Sequence, residues 1–166
     1  MAKKVLNAIS TAVTVLIVII VLLLVGGKLF GVETYWVSSG SMEPKYPVGS
    51  LVYVAHKEPE EIKINDVISF HIDNGGIATH RVKHIDSEKR KFTTKGDNNN
   101  SEDAPIEFES LIGKVIFSVP LLGYVASFVS KSYGKWTLVA IIALLILSSF
   151  LPELFSKKKK DTNQEK

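Results

Sequence analysis

The chain has 166 residues, 20 Lys+Arg against 17 Asp+Glu, and no cysteine. That allows one modest domain plus membrane segments, and it excludes disulfides, thiolate zinc sites and a cysteine nucleophile. The basic excess sits at the two ends, at Lys3, Lys4, Lys157, Lys158, Lys159, Lys160 and Lys166, while Lys28 to Lys135 is close to neutral with no basic stripe of interleaved aromatics, so the charge speaks for membrane topology and against a nucleic-acid partner.

Residues 5–27 carry no charge and are dominated by Val, Leu and Ile. At about 1.5 Å per residue they can cross a hydrocarbon core of roughly 30 Å. The stretch is longer than the roughly 7–15 apolar residues of a cleavable signal peptide, and no clear A-x-A site follows, so it reads as a retained transmembrane helix.

The middle reads as strands. Val32-Glu33-Thr34-Tyr35-Trp36-Val37 is rich in β-branched and aromatic residues, and Leu51-Val52-Tyr53-Val54 follows a Gly49-Ser50 turn. Val67 to Ile72 and Ile77 to Ile85 flank Asp73-Asn74-Gly75-Gly76, a hairpin signal. Lys91 to Thr94 and Leu111 to Val119 follow, then a short amphipathic helix over 121–132. Residues 136–152 form a second uncharged run that opens on Trp136 and is just long enough for a span, with a charged tail beyond it. The expected organisation is a cytoplasmic end (1–4), a transmembrane helix (5–27), an extracytoplasmic β domain (28–135), a transmembrane helix (136–152) and a basic cytoplasmic tail (153–166). The fold class is mostly β: a small antiparallel, barrel-like domain flanked by the two helices.

Candidate chemistry begins at Ser39-Gly40-Ser41-Met42-Glu43-Pro44, just past the first apolar segment. A serine hydroxyl needs a base, and near it only Glu43 and Lys45 are at hand, so the base comes from a distant strand. Four histidines are available: His56, His71, His80 and His84. An imidazole, with an ordinary pKa near 6.5, suits the task at neutral pH. Strict alternation puts His80 and His84 on one face of their strand. Their spacing does not suggest a metal site. The loop Lys95-Gly96-Asp97-Asn98-Asn99-Asn100-Ser101-Glu102-Asp103 contains two aspartates, either of which could hold an imidazole. It lacks the glycine and glutamate positions of an EF-hand, and a plain solvated loop is its ordinary reading.

Taken in order, Ser-Gly-Ser-Met-Glu-Pro, Asn65-Asp66-Val67-Ile68-Ser69-Phe70, Thr79-His80-Arg81-Val82 and Lys95-Gly96-Asp97-Asn98-Asn99 with Asp103 resemble type I signal peptidase over most of residues 35–120. One kind of that family uses a Ser-Lys dyad. The kind shared by the endoplasmic reticulum, archaea and some Gram-positive bacteria has histidine instead, and His80 stands there. The resemblance implies a membrane-bound serine endopeptidase that removes signal peptides through an acyl-enzyme, with Ser41 as nucleophile and His80 as general base. It favours Asp103 as the orienting carboxylate, leaves Asp97 as its competitor or a structural support, and implies Ser39 with the Ser41 N–H as oxyanion donors. It implies no metal or organic cofactor. Its partners are preproteins, membrane lipid and the secretion translocon, and its place is the cell membrane, multi-pass, with the catalytic domain outside. A regulatory protease of the same fold and a non-catalytic membrane-tethered binding domain are the alternatives. Asn65-Asp66 departs from the family's Gly-Asp pattern, which touches one turn. Phe30, Tyr35, Trp36 and Met42 suit either the membrane interface or the core.

Overall fold

The structure, a computed structural model, describes residues 2–73 and 75–144, with side chains from residue 8. It divides into two compact units, Leu24–Ser127 and the flanking segments Met1–Leu23 with Phe128–Lys166.

Helix α1 spans Ala2–Leu29, and within it Ala8–Leu29 has a mean hydropathy of 3.1 with none of that window buried. An apolar helix of that length with no protein cover is suited to lipid. Helix α2 (Leu122–Ser130) matches the expected amphipathic helix, and α3 covers Ser132–Leu144. Apolar α3 is shorter than a span, and one described helix is long enough to cross a membrane. Residues 145–152 of the expected second span, the basic tail, and Asn74 of the hairpin lie outside the described residues.

The unit Leu24–Ser127 is built on seven strands: β1 (Val32–Trp36), β2 (Leu51–Ala55), β3 (Val67–His71), β4 (Ile77–Asp86), β5 (Lys91–Lys95), β6 (Ile106–Glu107) and β7 (Leu111–Val119). All pair antiparallel, in the order β1-β2-β7-β3-β4-β5-β6. The barrel expected from sequence is open, a half-barrel with β1 and β6 as edges. β2 and β3 are buried along nearly their whole length, on both faces, which is why they read as continuous apolar runs.

Two clusters form the core. Met42, Tyr46, Val52, Val54, Val67 and Val115 make one; Ile62, Ile68, Phe70, Val82, Phe92 and Phe108 make the other, with Phe92 and Phe108 stacked at 4.3 Å. Met42 is therefore a core residue, and Tyr35 packs against the same cluster, while Phe30 and Trp36 are exposed.

Alternation fails at one place that matters. The β4–β5 ladder runs Val82↔Thr94 and then His84↔Thr93, a bulge that absorbs Lys83. Val82 and Ile85, three residues apart, thus both reach the core, and His84 is turned to solvent. The expectation that His80 and His84 share a face is corrected by this extra residue.

Candidate active site

Ser41 sits in a single 3-10 turn, Gly40–Met42, between β1 and β2. The buried Met42 side chain anchors that turn in the core. His80 lies mid-β4, on the face of Ala78 and Val82, with its ring edge-on to Phe70 at 6.3 Å. The two meet across 39 positions of sequence: His80 Nε2 is 3.1 Å from Ser41 Oγ.

The other ring nitrogen, Nδ1, is 2.6 Å from Asp103 Oδ2. A carboxylate only accepts, so Nδ1 carries the proton and Nε2 presents its lone pair to the Ser41 hydroxyl. The His80 side chain is 14 % exposed and Asp103 27 %. The same Asp103 oxygen accepts a bond from the fully buried Thr94 hydroxyl at 2.7 Å, and the Asp103 N–H donates to the Thr94 carbonyl at 2.8 Å. Strand β5 thus fixes the carboxylate at its backbone and at its side chain. Nothing local in the sequence singles out Thr94 beyond its alternation with Phe92, which puts a hydroxyl on the core face of β5.

Asp97 lies elsewhere. Its carboxylate takes the Arg81 fork, at 2.7 Å from Nε and 2.6 Å from Nη2, and Arg81 Nη1 donates to the Asn65 carbonyl at 2.8 Å. The fork holds the Asp97 carboxyl below the usual carboxylate range, and Asp97 in turn raises Arg81. Adjacent residues on a strand face opposite ways, so His80 serves Ser41 and Asp103 while Arg81 ties down the loop. Asn65 has φ +74°, a left-handed position where glycine is at ease and asparagine is tolerated, which accounts for the departure from Gly-Asp. Asp66 pairs with Lys114 at 2.6 Å, away from the site.

The Gly96–Asn98 loop presses on the serine turn. A Cβ on Gly96 would lie 2.7 Å from the Ser41 carbonyl oxygen, closer than side chains approach. Ser39 Oγ is 3.3 Å from Ser41 Oγ. His84 faces Glu102 at 3.5 Å, and His56, just past β2, and His71, at the end of β3, are exposed. Among the described residues no three His, Asp or Glu side chains gather as a metal site.

A cleft of about 670 Å³ opens at the pair, lined by Thr34 to Ser39 on one side, Ile77 to His80 on the other, and Met42 and Val52 below. Tyr35 in its wall has its phenol pushed well above the ordinary value by burial and by the Glu33 carboxylate, so it stays a neutral donor.

Residues 9–102 match the model of the family described as signal peptidase, peptidase S26, a stretch covering more than half of the chain and holding both Ser41 and His80. The chain belongs to that family. Signal peptidases of this family are serine endopeptidases that cleave signal peptides from preproteins, and that is this protein's activity. It is 35 % identical over 128 residues to the signal peptidase complex catalytic subunit SEC11 of Lachancea thermotolerans, covering 68 % of this chain and 76 % of the relative. The same subunit of Candida tropicalis is 32 % identical over 126 residues, covering 68 % of this chain and 75 % of the relative. That of Metarhizium robertsii is 33 % identical over 124 residues, with 67 % and 72 % covered. The family match of this signal peptidase ends one residue before Asp103.

Proposed function

We propose that this signal peptidase works through Ser41 as nucleophile, His80 as general base and acid, and Asp103 as the carboxylate that orients His80. The observation that carries the reading is the chain of contacts from Ser41 Oγ to His80 Nε2 at 3.1 Å and from Nδ1 to Asp103 at 2.6 Å. In the first step Ser41 Oγ bonds to the scissile carbonyl carbon, its proton passes to His80 Nε2, and the carbonyl oxygen becomes an oxyanion. Collapse breaks the C–N bond and His80 gives that proton to the leaving amine. Water then attacks the ester, loses a proton to His80, and releases the signal peptide's new carboxyl end as the proton returns to Ser41 Oγ. Asp103 stabilises the imidazolium formed twice in this cycle.

The Ser41 N–H and the Ser39 hydroxyl are the oxyanion donors in this reading, supported by the 3.3 Å approach of the two hydroxyls. Strand β1 pairs on one side alone, and its residues line the cleft, so an extended substrate segment can lie along its free edge. Asp97 is a structural support, since its carboxylate is committed to Arg81.

The helix α1 anchors the enzyme, and Ser41 follows it closely enough in sequence for the cleft to lie near the membrane face where a signal peptide's cleavage site emerges. We place the catalytic unit on the extracytoplasmic side, the basic ends inside, and the second crossing at 136–152. The relatives are named catalytic subunits of a signal peptidase complex, and in this reading the present chain too works within a complex; an association with the secretion translocon is part of the same proposal.

The test is cleavage of a model preprotein in detergent or proteoliposomes. Ser41→Ala and His80→Ala abolish cleavage while His84→Ala retains it. Normal cutting by Ser41→Ala overturns the assignment.

A further inference from the structure

We propose that Asn98 is a positioning residue that sets the direction of the Ser41 N–H; the inference rests on reading that N–H as an oxyanion donor. The turn Gly40–Met42 is too short to hold its own peptides in place, since it closes with one backbone bond, Glu43 N–H to the Gly40 carbonyl at 3.1 Å. Two further bonds come from one residue of a distant loop. The Asn98 side-chain amide donates to the Gly40 carbonyl at 3.2 Å, and the Asn98 backbone N–H donates to the Ser41 carbonyl at 2.8 Å.

The first of these controls the catalytic geometry. The Gly40–Ser41 peptide is a trans plane, so its C=O and the Ser41 N–H point in opposite directions. With both Glu43 and Asn98 donating to the Gly40 oxygen, the plane is held and the Ser41 N–H is aimed away from the loop. The second bond fixes the next plane, between Ser41 and Met42. Asn98 is itself anchored from the neighbouring position by the Arg81–Asp97 fork, and Gly96 provides the close approach. The pairs His80-Arg81 and Asp97-Asn98 therefore link base and oxyanion donor through one loop. The amide side chain is what the site requires: an aspartate at 98 would aim a carboxylate at the Gly40 carbonyl, and alanine would leave that carbonyl with one donor fewer.

The test uses the full chain in detergent with a fluorogenic peptide spanning a signal-peptide cleavage site. Asn98→Ala lowers kcat about tenfold and Asn98→Asp about a hundredfold, with KM within about threefold, as expected when a transition-state contact is misaligned. A peptide aldehyde adds to Ser41 Oγ and develops the same oxyanion, so its Ki rises by the same factor as kcat/KM falls. The Ki of the cleaved product peptide, which forms no oxyanion, stays within about threefold. If aldehyde and product weaken together, or if kcat stays within about threefold in both variants, the inference is overturned. Should Asn98→Asp lose its cooperative melt, Asn98→Ala decides, because it keeps the backbone bond to Ser41. Ser41→Ala separates the two readings. If it still cuts, the site assignment falls and this inference with it; if it is dead and the Asn98 variants are normal, only the role of Asn98 falls.

Discussion

Replacing Asp103 by Asn tests which carboxylate serves His80. The amide is nearly isosteric, and its oxygen can still accept from His80 Nδ1 and from Thr94 Oγ1, so the tautomer can be retained while the charge is lost. The cost then falls on the imidazolium formed during attack. With Nδ1 and Oδ2 2.6 Å apart, the charge centres lie about 4 Å apart, where the attraction is about 1 kcal/mol in water and about 4 kcal/mol at an effective dielectric constant of 20. The pair is only 14 % and 27 % exposed, which puts it toward the stronger limit. At about 1.4 kcal/mol per decade, Asp103→Asn lowers kcat about 10²- to 10³-fold. Steady-state cleavage of a fluorogenic signal-peptide substrate reads this, with thermal melts to show that the fold survives. Asp97→Asn, whose carboxylate faces Arg81 and reaches the site only through Asn98, is the comparison, and it lowers kcat by less than Asp103→Asn. Activity within threefold of wild type for Asp103→Asn refutes the reasoning. So does a larger kcat loss for Asp97→Asn at unchanged stability.

The Asp97–Arg81 fork predicts an acid-labile fold. The Asp97 carboxyl is depressed chiefly by its hydrogen bonds to Arg81, so its stabilisation is complete above the unfolded value, near 3.9, and is lost as pH falls through the lower folded value. With the two side chains 21 % and 18 % exposed, Asp97→Asn costs about 1–3 kcal/mol at pH 7 and flattens the acid limb of the stability curve; urea unfolding at stepped pH measures both. Gly96→Ala drives a methyl into the Ser41 carbonyl oxygen, costs about 1–3 kcal/mol of stability and lowers kcat about tenfold or more; wild-type kinetics would contradict the packing of this loop on the serine turn. Phe92→Ala, at a fully buried ring stacked on Phe108, destabilises by about 3–5 kcal/mol in denaturant unfolding.

Where the chain is apolar enough to cross a membrane and where it forms strands can be read directly from the order of its residues. Both depend on short-range properties: an uncharged run over 5–27, β-branched and aromatic runs at Val32, Leu51, Val67 and Leu111, and turn residues between them. The sequence also carried the family resemblance, because that rests on four motifs in order. The two-residue β6 escaped notice, since a pairing that short has no pattern of its own and is set by its neighbour β5. Which side chains meet is set by the folded sheet and its loops. His80 and His84 have the same parity in sequence, and a single bulge residue, Lys83, separates them, because register answers to the core packing of Val82 and Ile85 and not to local propensity. Asp97 and Asp103 are equivalent as letters in one loop. The loop's path places one beside Arg81 and the other beside Thr94 and His80. The roles of Arg81, Thr94 and Asn98 are not legible locally because each is defined by a partner 9 to 58 positions away, and such pairings exist only once the sheet has formed around them.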